Sequence, residues 1–398
     1  MFILKSIWCR LYQGAFRLAL PVLPYREPKI IPSCAALDAV LVKEGVRSAL
    51  IVTDAGILRN GLTRSLEETL ARCNIPCVIY SETQPNPTVH NVETARRLYL
   101  ENNCDCLIAI GGGSAMDCAK AVGARIARPR TKLNKLGGVL RVLHRIPLLI
   151  AIPTTAGTGS EVTLAAVITD PGQQHKYAMM DFSLIPRYAV LDPSLTCTLP
   201  AHLTASTGMD ALTHAVEAFI GRSTTRKTRR LALEAADLIL HNIEQAYSDG
   251  SDLAARKNML HAAYKAGIAF SMSYVGYVHA AAHALGGRYG TPHGLANAVI
   301  LPYMLESYGA CIHKKLKAFA VHTGLCGESC PADLAAKRFI DKVRALNAAM
   351  GIPETLPGIA PADIPALALH AEKEANPLYP VPKLMTAKEL EAFFHYIS

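Results

Sequence analysis

Residues 106–127 read CLIAIGGGSAMDCAKAVGARIA: an apolar run, three consecutive glycines, then a helix-compatible stretch. The run 106–110 has strand character, and Gly111, Gly112 and Gly113 let the backbone approach a ligand closely. A helix starting at such a turn points free N–H groups at an anion, so the stretch predicts a phosphate-binding strand–turn–helix. Ser114 and Asp117, three apart, predict a capping box at the helix start. Neither GxGxxG nor GxxxxGK[ST] is matched, so a plain tight turn is the rival reading.

The surrounding chain repeats this rhythm. Residues 48–52, 77–80, 148–152, 165–170 and 189–191 read as further strands, and residues 62–73 and 89–102 as helices. Such alternation predicts an α/β domain with a parallel sheet. After Pro200 the strand-like runs vanish and alanine-rich helical patterns dominate, as at 230–246 and 253–270. The expected organisation is an amphipathic basic extension (1–28), an α/β dinucleotide-binding domain (29–199) and an all-helical metal-binding catalytic domain (200–398). A cleft between the two large domains is the default ligand site.

A chain of 398 residues, 51% hydrophobic, exceeds one ordinary core, and with 18% charged residues and no repeat it is neither disordered nor a solenoid. The net charge of +9 is uneven: residues 118–160 contain Arg125, Arg128, Arg130 and other cations but no acid. No aromatic interleaves them and no nucleic-acid motif accompanies them, so they read as solvated surface, with no nucleic-acid partner. Eleven cysteines without a CxxC pair predict reduced thiols and a cytoplasmic location.

At the N-terminus, Lys5, Arg10, Arg17 and Arg26 precede the first acid, Glu27. On a helix, Ser6, Arg10, Gln13 and Arg17 form a polar face opposite Leu4, Ile7, Trp8, Leu11 and Phe16. Arg10 and Arg17 interrupt the apolar run, which excludes a secretory signal. Contact of residues 1–26 with a membrane surface, docking to an assembly, and packing on the same chain are the open readings. No apolar run of about 18 residues occurs elsewhere, so no membrane span is expected.

Three further features carry chemistry. Asp54 closes a strand where a carboxylate can accept from an adenosine ribose, or merely cap the next helix. The loop TTAGTGS (154–160) has hydroxyls and glycines suited to a pyrophosphate or a nicotinamide amide. Asp210 and His214 sit four apart on one helix face, as do His279 and His283, and His293 follows on a turn. One carboxylate and several imidazoles suit a divalent transition metal; a buried Asp–His hydrogen bond is the alternative. Spacing leaves five candidates for about four ligand positions and does not choose among the histidines.

Taken in order, PNPT (85–88), GGGSAMDCAK (111–120), IPTTAGTGSEVT (152–163), GMDALTHAVEA (208–218) and VHAAAHALGGRYGTPHGLANA (278–298) resemble the iron-containing alcohol dehydrogenases, which share the dehydroquinate synthase-like fold. The resemblance implies that Asp210, His214, His279 and His293 hold Fe(II), or Zn, and that His283 relays a proton beside nicotinamide and substrate. It places Asp54, Asn86, Gly112, Gly113, Ser114, Asp117, Thr154, Thr155, Thr158 and Lys176 at the NAD(P) site. A carboxylate at Asp54 repels a 2′-phosphate, which favours NAD over NADP.

The implied activity is hydride transfer between a nicotinamide cofactor and a small alcohol or its aldehyde or ketone, in a homo-oligomer, a dimer first. The rivals are 2-hydroxyacid/2-oxoacid transhydrogenation or polyol oxidation on the same scaffold, a phosphate-eliminating lyase, and a non-enzymatic docked protein. The lyase needs a cluster of cations, and Arg288 is the obvious one beside the motif. Two departures from the family pattern are the extension before Lys29 and the pair Arg288–Tyr289, which bears on the shape and charge of the substrate pocket.

Overall fold

Buried side chains alternate along the central strands, with Ala49 and Ile51 in one apolar cluster and Leu50 and Val52 in another. That alternation is what the two-residue period of a strand produces when both faces are covered. The computed structural model describes residues 2–173 and 175–398; Met1, expected in the extension, and Gln174, expected in the α/β domain, lie outside the described residues. The chain divides into two compact units, Pro24–Thr198 and Met1–Leu23 with Leu199–Ser398. Residues 1–28 therefore form no separate body: helix α1 (Phe2–Ala19) groups with the helical unit, and residues 24–28 with the α/β unit.

The α/β unit holds strands β1 (Lys29–Ile31), β2 (Ala49–Val52), β3 (Cys77–Tyr80), β4 (Cys106–Gly111), β5 (Gly138–Val139), β6 (Leu148–Pro153), β7 (Ala165–Asp170), β8 (His175–Met180) and β9 (Tyr188–Val190). Its helices are α2 (Asp38–Glu44), α3 (Ala55–Arg59), α4 (Arg64–Arg72), α5 (Val89–Glu101) and α6 (Gly113–Ala127). Six strands form a parallel sheet in the order β1-β9-β6-β4-β2-β3, and β5-β8-β7 form a second, mixed sheet. The chain leaves β2 for β3 on one side and leaves β4 toward β6 on the other. The carboxyl ends of the adjacent strands β2 and β4 thus mark the topological switch point, where open parallel sheets bind ligands. Strands β1, β5 and β8 escape the sequence reading; two of them have only two or three residues, with largely exposed positions.

The helix after the glycine turn begins two residues earlier than the expected capping box allows. Gly112 is the N-cap of α6 and makes no side-chain cap, so Ser114 and Asp117 lie inside the first turns. Gly111 has φ +149°, and a Cβ there would sit 2.9 Å from that of Ala115. The turn therefore requires glycine for both backbone and space.

The helical unit adds α7 (Ala201–Ile220), α8 (Arg226–Ser248), α9 (Leu253–Ser273), α10 (Tyr277–Tyr289), α11 (His293–Tyr308), α12 (His313–His322), α13 (Ala332–Ala349), α14 (Ile364–Ala375) and α15 (Ala387–Ile397). Among the described residues no strand follows β9, and no single helix is long and apolar enough to cross a membrane. Helix α7 is its axis: fifteen of its twenty residues are buried. Close approaches fix its neighbours. A Cβ on Gly208 would meet Ile243 of α8 at 2.6 Å, and one on Gly294 would meet the Ser206 carbonyl oxygen at 2.5 Å.

The Gly294 contact is with backbone, which cannot rotate away. Gly294→Ala is expected to push the start of α11 off α7 and lower unfolding stability by about 1–3 kcal/mol in denaturant titration.

Candidate metal centre and cofactor cradle

Asp210, His214 and Glu217 lie at i, i+4 and i+7 on α7 and share one buried face. Glu217 meets the N-terminus of α10, where its carboxylate accepts from the N–H groups of Gly276 and Val278, both at 2.8 Å, and from His279 Nδ1 at 2.6 Å. The carboxylate answers orphan donors at the positive end of a helix and sets the His279 tautomer at once. Gly276 is required by this contact, since a Cβ there would lie 2.6 Å from Glu217 Oε1. Burial pushes the Glu217 carboxyl up to about 7, opposed by the backbone donors of Gly276 and Val278. Burial also holds the His279 imidazole well below its ordinary value, so it is neutral, the form that ligates a metal.

With Nδ1 engaged, His279 Nε2 is buried without a hydrogen-bond partner among the described residues. It lies 3.7 Å from Asp210 Oδ1, and His293 Nε2 lies 3.6 Å from the same oxygen. Ligand atoms of Asp210, His279 and His293 all fall within 4.8 Å of one another. His214 is outside that close group; its ring stacks between Phe270, at 4.1 Å, and His279, at 4.5 Å. A carboxylate, two converging imidazoles and an orphaned buried nitrogen oriented by a second carboxylate fit a divalent metal ion. Asn297 Nδ2 donates to Asp210 Oδ1 at 2.6 Å and fixes that carboxylate.

His283, one turn along α10, is not part of this group. Its side chain is 40% exposed, and its Nδ1 donates to Glu374 Oε1 at 2.6 Å. Tyr379 donates its hydroxyl to the same oxygen at 2.7 Å. Burial raises the Glu374 carboxyl, but the His283 ring and the Tyr379 hydroxyl outweigh it and hold the group below its ordinary value. An oriented imidazole with one edge toward solvent can carry a proton. The ring stacks 5.1 Å from that of His293.

The departures at 288 and 289 point elsewhere. Arg288 binds Asp363 with two hydrogen bonds, of 2.9 and 2.8 Å, and the Tyr289 hydroxyl donates to the same carboxylate. The cation that a phosphate-eliminating lyase would need is therefore neutralised within the protein.

The cofactor candidates gather at the switch point of the α/β sheet. Asp54 Oδ1 caps α3 by accepting from Gly56 and Ile57, while a Cβ on Gly111 would lie 3.6 Å from Oδ2. The capping reading of Asp54 is thus realised, with its second oxygen turned toward the glycine turn. Thr154 N–H donates to the Gly111 carbonyl, bringing the threonine loop beside that turn. Thr155 faces Gly112, and a Cβ on Gly113 would meet Thr158 at 3.2 Å. Asn86, at φ +57°, donates its N–H to Ser114 Oγ, and Lys176 Nζ donates to Asn86 Oδ1 at 2.7 Å.

Asp117 differs from the others, because both its oxygens are used inside the protein. It accepts from Ser160 Oγ at 3.0 Å and from the Val167 N–H at 3.0 Å. Beside it the buried Lys120 ammonium donates to Ser160 Oγ, Thr163 Oγ1 and the Ala165 carbonyl. Burial pushes Lys120 down to about 8 and the neighbouring Glu161 up to about 7. These groups tie α6 to the loop after β6, so Asp117 supports the cradle rather than lining it.

Sequence reasoning passed over Glu217, Glu374, Asn297, Tyr379 and Lys120. Glu217 and Lys120 carried a local signal, being seven residues from Asp210 and three from Asp117 on the same helix faces. Glu374 carried none, because its partner lies 91 residues away.

Comparison with known proteins shows the family. The model of the iron-containing alcohol dehydrogenases matches residues 32–193, and that of the C-terminal part of the Fe-containing alcohol dehydrogenase family matches residues 204–397. Alcohol dehydrogenase 4 of Saccharomyces cerevisiae is 40% identical over 333 residues, 83% of this chain and 85% of that protein. The crystal structure of a 1,3-propanediol oxidoreductase is 34% identical, with a TM-score of 0.90 over 94% of this chain and 99% of that one. A sulfoacetaldehyde reductase from Bifidobacterium kashiwanohense, solved with NAD+, is 26% identical, with a TM-score of 0.84 over 94% and 98% of the two chains.

Two outcomes follow from the supporting carboxylates. Glu217→Gln is expected to weaken metal retention about 10–100-fold, read as metal content after dialysis against a graded chelator series. Glu374→Gln is expected to leave metal content unchanged while kcat falls about tenfold, read in steady-state kinetics.

Proposed function

This chain belongs to the iron-containing alcohol dehydrogenase family, and from that premise we propose how its residues divide the work. It is a metal-dependent oxidoreductase that transfers a hydride between a nicotinamide cofactor and a small alcohol or its aldehyde or ketone. The non-enzymatic reading is thereby set aside.

In the proposed assignment Asp210, His214, His279 and His293 hold the metal, Fe(II) first and Zn as the alternative. The observation that carries it is the buried, neutral His279, whose Nε2 has no hydrogen-bond partner among the described residues and faces Asp210. When bound, the metal supplies a Lewis acid for the alcohol or carbonyl oxygen, and the nicotinamide supplies the hydride acceptor or donor. Glu217 keeps His279 in the ligating tautomer, and Asn297 holds Asp210 in place. His283 exchanges the substrate proton with solvent through Nε2 while Glu374 holds its other nitrogen.

On the cofactor side, N–H groups at the start of α6 receive the pyrophosphate, with Gly112, Gly113, Ser114, Thr154, Thr155 and Thr158 around it. Asn86 and Lys176 close the turn beside Ser114, and Asp117 acts through the loop. The free edge of the Asp54 carboxylate receives the adenosine ribose, which selects NAD over NADP. We also propose a cytoplasmic homodimer, checked by light scattering of the purified chain, and contact of residues 1–26 with a membrane surface.

The decisive assay is anaerobic NADH oxidation by the Fe(II)- or Zn-reconstituted enzyme across a panel of aldehydes and ketones. His279→Ala is expected to lose both metal and turnover. His283→Ala is expected to keep the metal and lose about 10²–10⁴-fold in kcat. Full activity after complete metal removal would overturn the assignment.

A further inference from the structure

Helix α1 is turned the opposite way from most surface helices. Its polar face is the one bound to the protein: Gln13 Nε2 donates to the Pro377 and Tyr379 carbonyls, and Arg10 to those of Val381 and Pro382. Ser223 Oγ donates to the Gln13 carbonyl, Lys5 pairs with Glu372, and Phe16 meets Tyr274 edge-on. The other face carries Leu4, Ile7, Trp8, Leu11 and Leu18, which are 74, 53, 60, 64 and 81% exposed. A contiguous apolar ridge of this kind on a surface helix marks a contact site.

Charge selects the occupant. Lys5 lies on one flank of the ridge and Arg10 and Arg17 on the other, with no acid before Glu27. Arg10 is held by backbone carbonyls rather than by a carboxylate, and Arg17 is exposed. Arg222 adds its charge beside Arg10, and Arg17, Arg222 and Arg229 crowd Lys315. A second copy seated on the same ridge would bring these cations against their own kind, with no acid on the helix to answer them. A lipid surface with anionic headgroups matches both features, since the ridge can enter the acyl boundary while the flanking cations reach the phosphates.

We propose that α1 is an in-plane anchor for an anionic phospholipid bilayer, with the Leu4–Leu18 ridge inserted and the exposed Arg17 and Arg222 on the headgroups. This rests on the membrane contact proposed for residues 1–26 and names its lipid class and its orientation. Cys9, Gln13 and Phe16 are the residues packed against the protein, whereas the ridge residues are exposed, so the anchor and the fold can be altered separately.

Trp8 is the single tryptophan of the chain and sits on the ridge, which makes it a native reporter. The intact, metal-loaded protein is titrated with phosphatidylcholine vesicles, with and without phosphatidylglycerol, following Trp8 emission and co-sedimentation. The expected result is a blue shift and sedimentation with the anionic vesicles only, reversed by high salt. The double variant Ile7→Ser, Leu11→Ser should keep full activity in solution and partition at least about tenfold less. Equal binding to neutral vesicles would overturn the lipid class and leave the membrane contact standing. No binding and unshifted emission with either vesicle would overturn both. A doubled mass with blue-shifted emission in solution, both reverting in the variant, would assign the ridge to a second copy.

Discussion

The buried carboxylate of Glu217 at the start of α10 is the constraint around which the helical unit is arranged. A carboxylate 3% exposed as a residue is costly to bury unless its oxygens are answered, and here two backbone N–H groups and an imidazole answer them. The same three bonds seat α10 on α7, require glycine at 276, and leave His279 Nε2 as the nitrogen facing Asp210. Packing, helix capping and the metal-binding tautomer are therefore one interaction. A change at Glu217 reaches the metal through orientation, since Glu217 lies outside the ligand group.

The α/β unit relies on a parallel device. The loop beside the glycine turn is anchored by Lys120 and Asp117, both buried and both bonded through Ser160. A lone buried ammonium would be unstable, but three oxygens receive its protons and two carboxyls lie nearby. The glycine turn and the threonine loop lie so close that a Cβ on Gly112 would meet Thr155 at 3.7 Å and one on Gly113 would meet Thr158 at 3.2 Å. The turn and the loop are held together by groups buried behind them.

Helix α1 shows how little an amphipathic pattern says about orientation. Its polar and apolar faces were legible from spacing, yet burying the apolar face is the usual outcome and the structure exposes it. The physical reason lies in the segment from Asn376 to Pro382, whose backbone carbonyls need donors and receive them from Gln13 and Arg10. Polar satisfaction of that segment outweighed apolar burial of the helix.

The sequence by itself determined what depends on neighbours a few residues apart. It set the strand–turn–helix at 106–127, the alternation that builds a parallel sheet, and the four-residue spacing that puts Asp210 with His214 and His279 with His283 on common faces. The capping box failed even at that range, because three successive glycines moved the helix start to Gly113. Spacing left the histidines undivided, and tertiary structure sets their surroundings: Glu217, 62 residues from His279, faces it toward Asp210, and Glu374, 91 residues from His283, holds Nδ1 of that half-exposed ring. It also decided which face of α1 is covered, through contacts as far as 372 residues along the chain. Backbone geometry is encoded locally, whereas the tautomer, exposure and partner of a side chain depend on which distant helix folds against it.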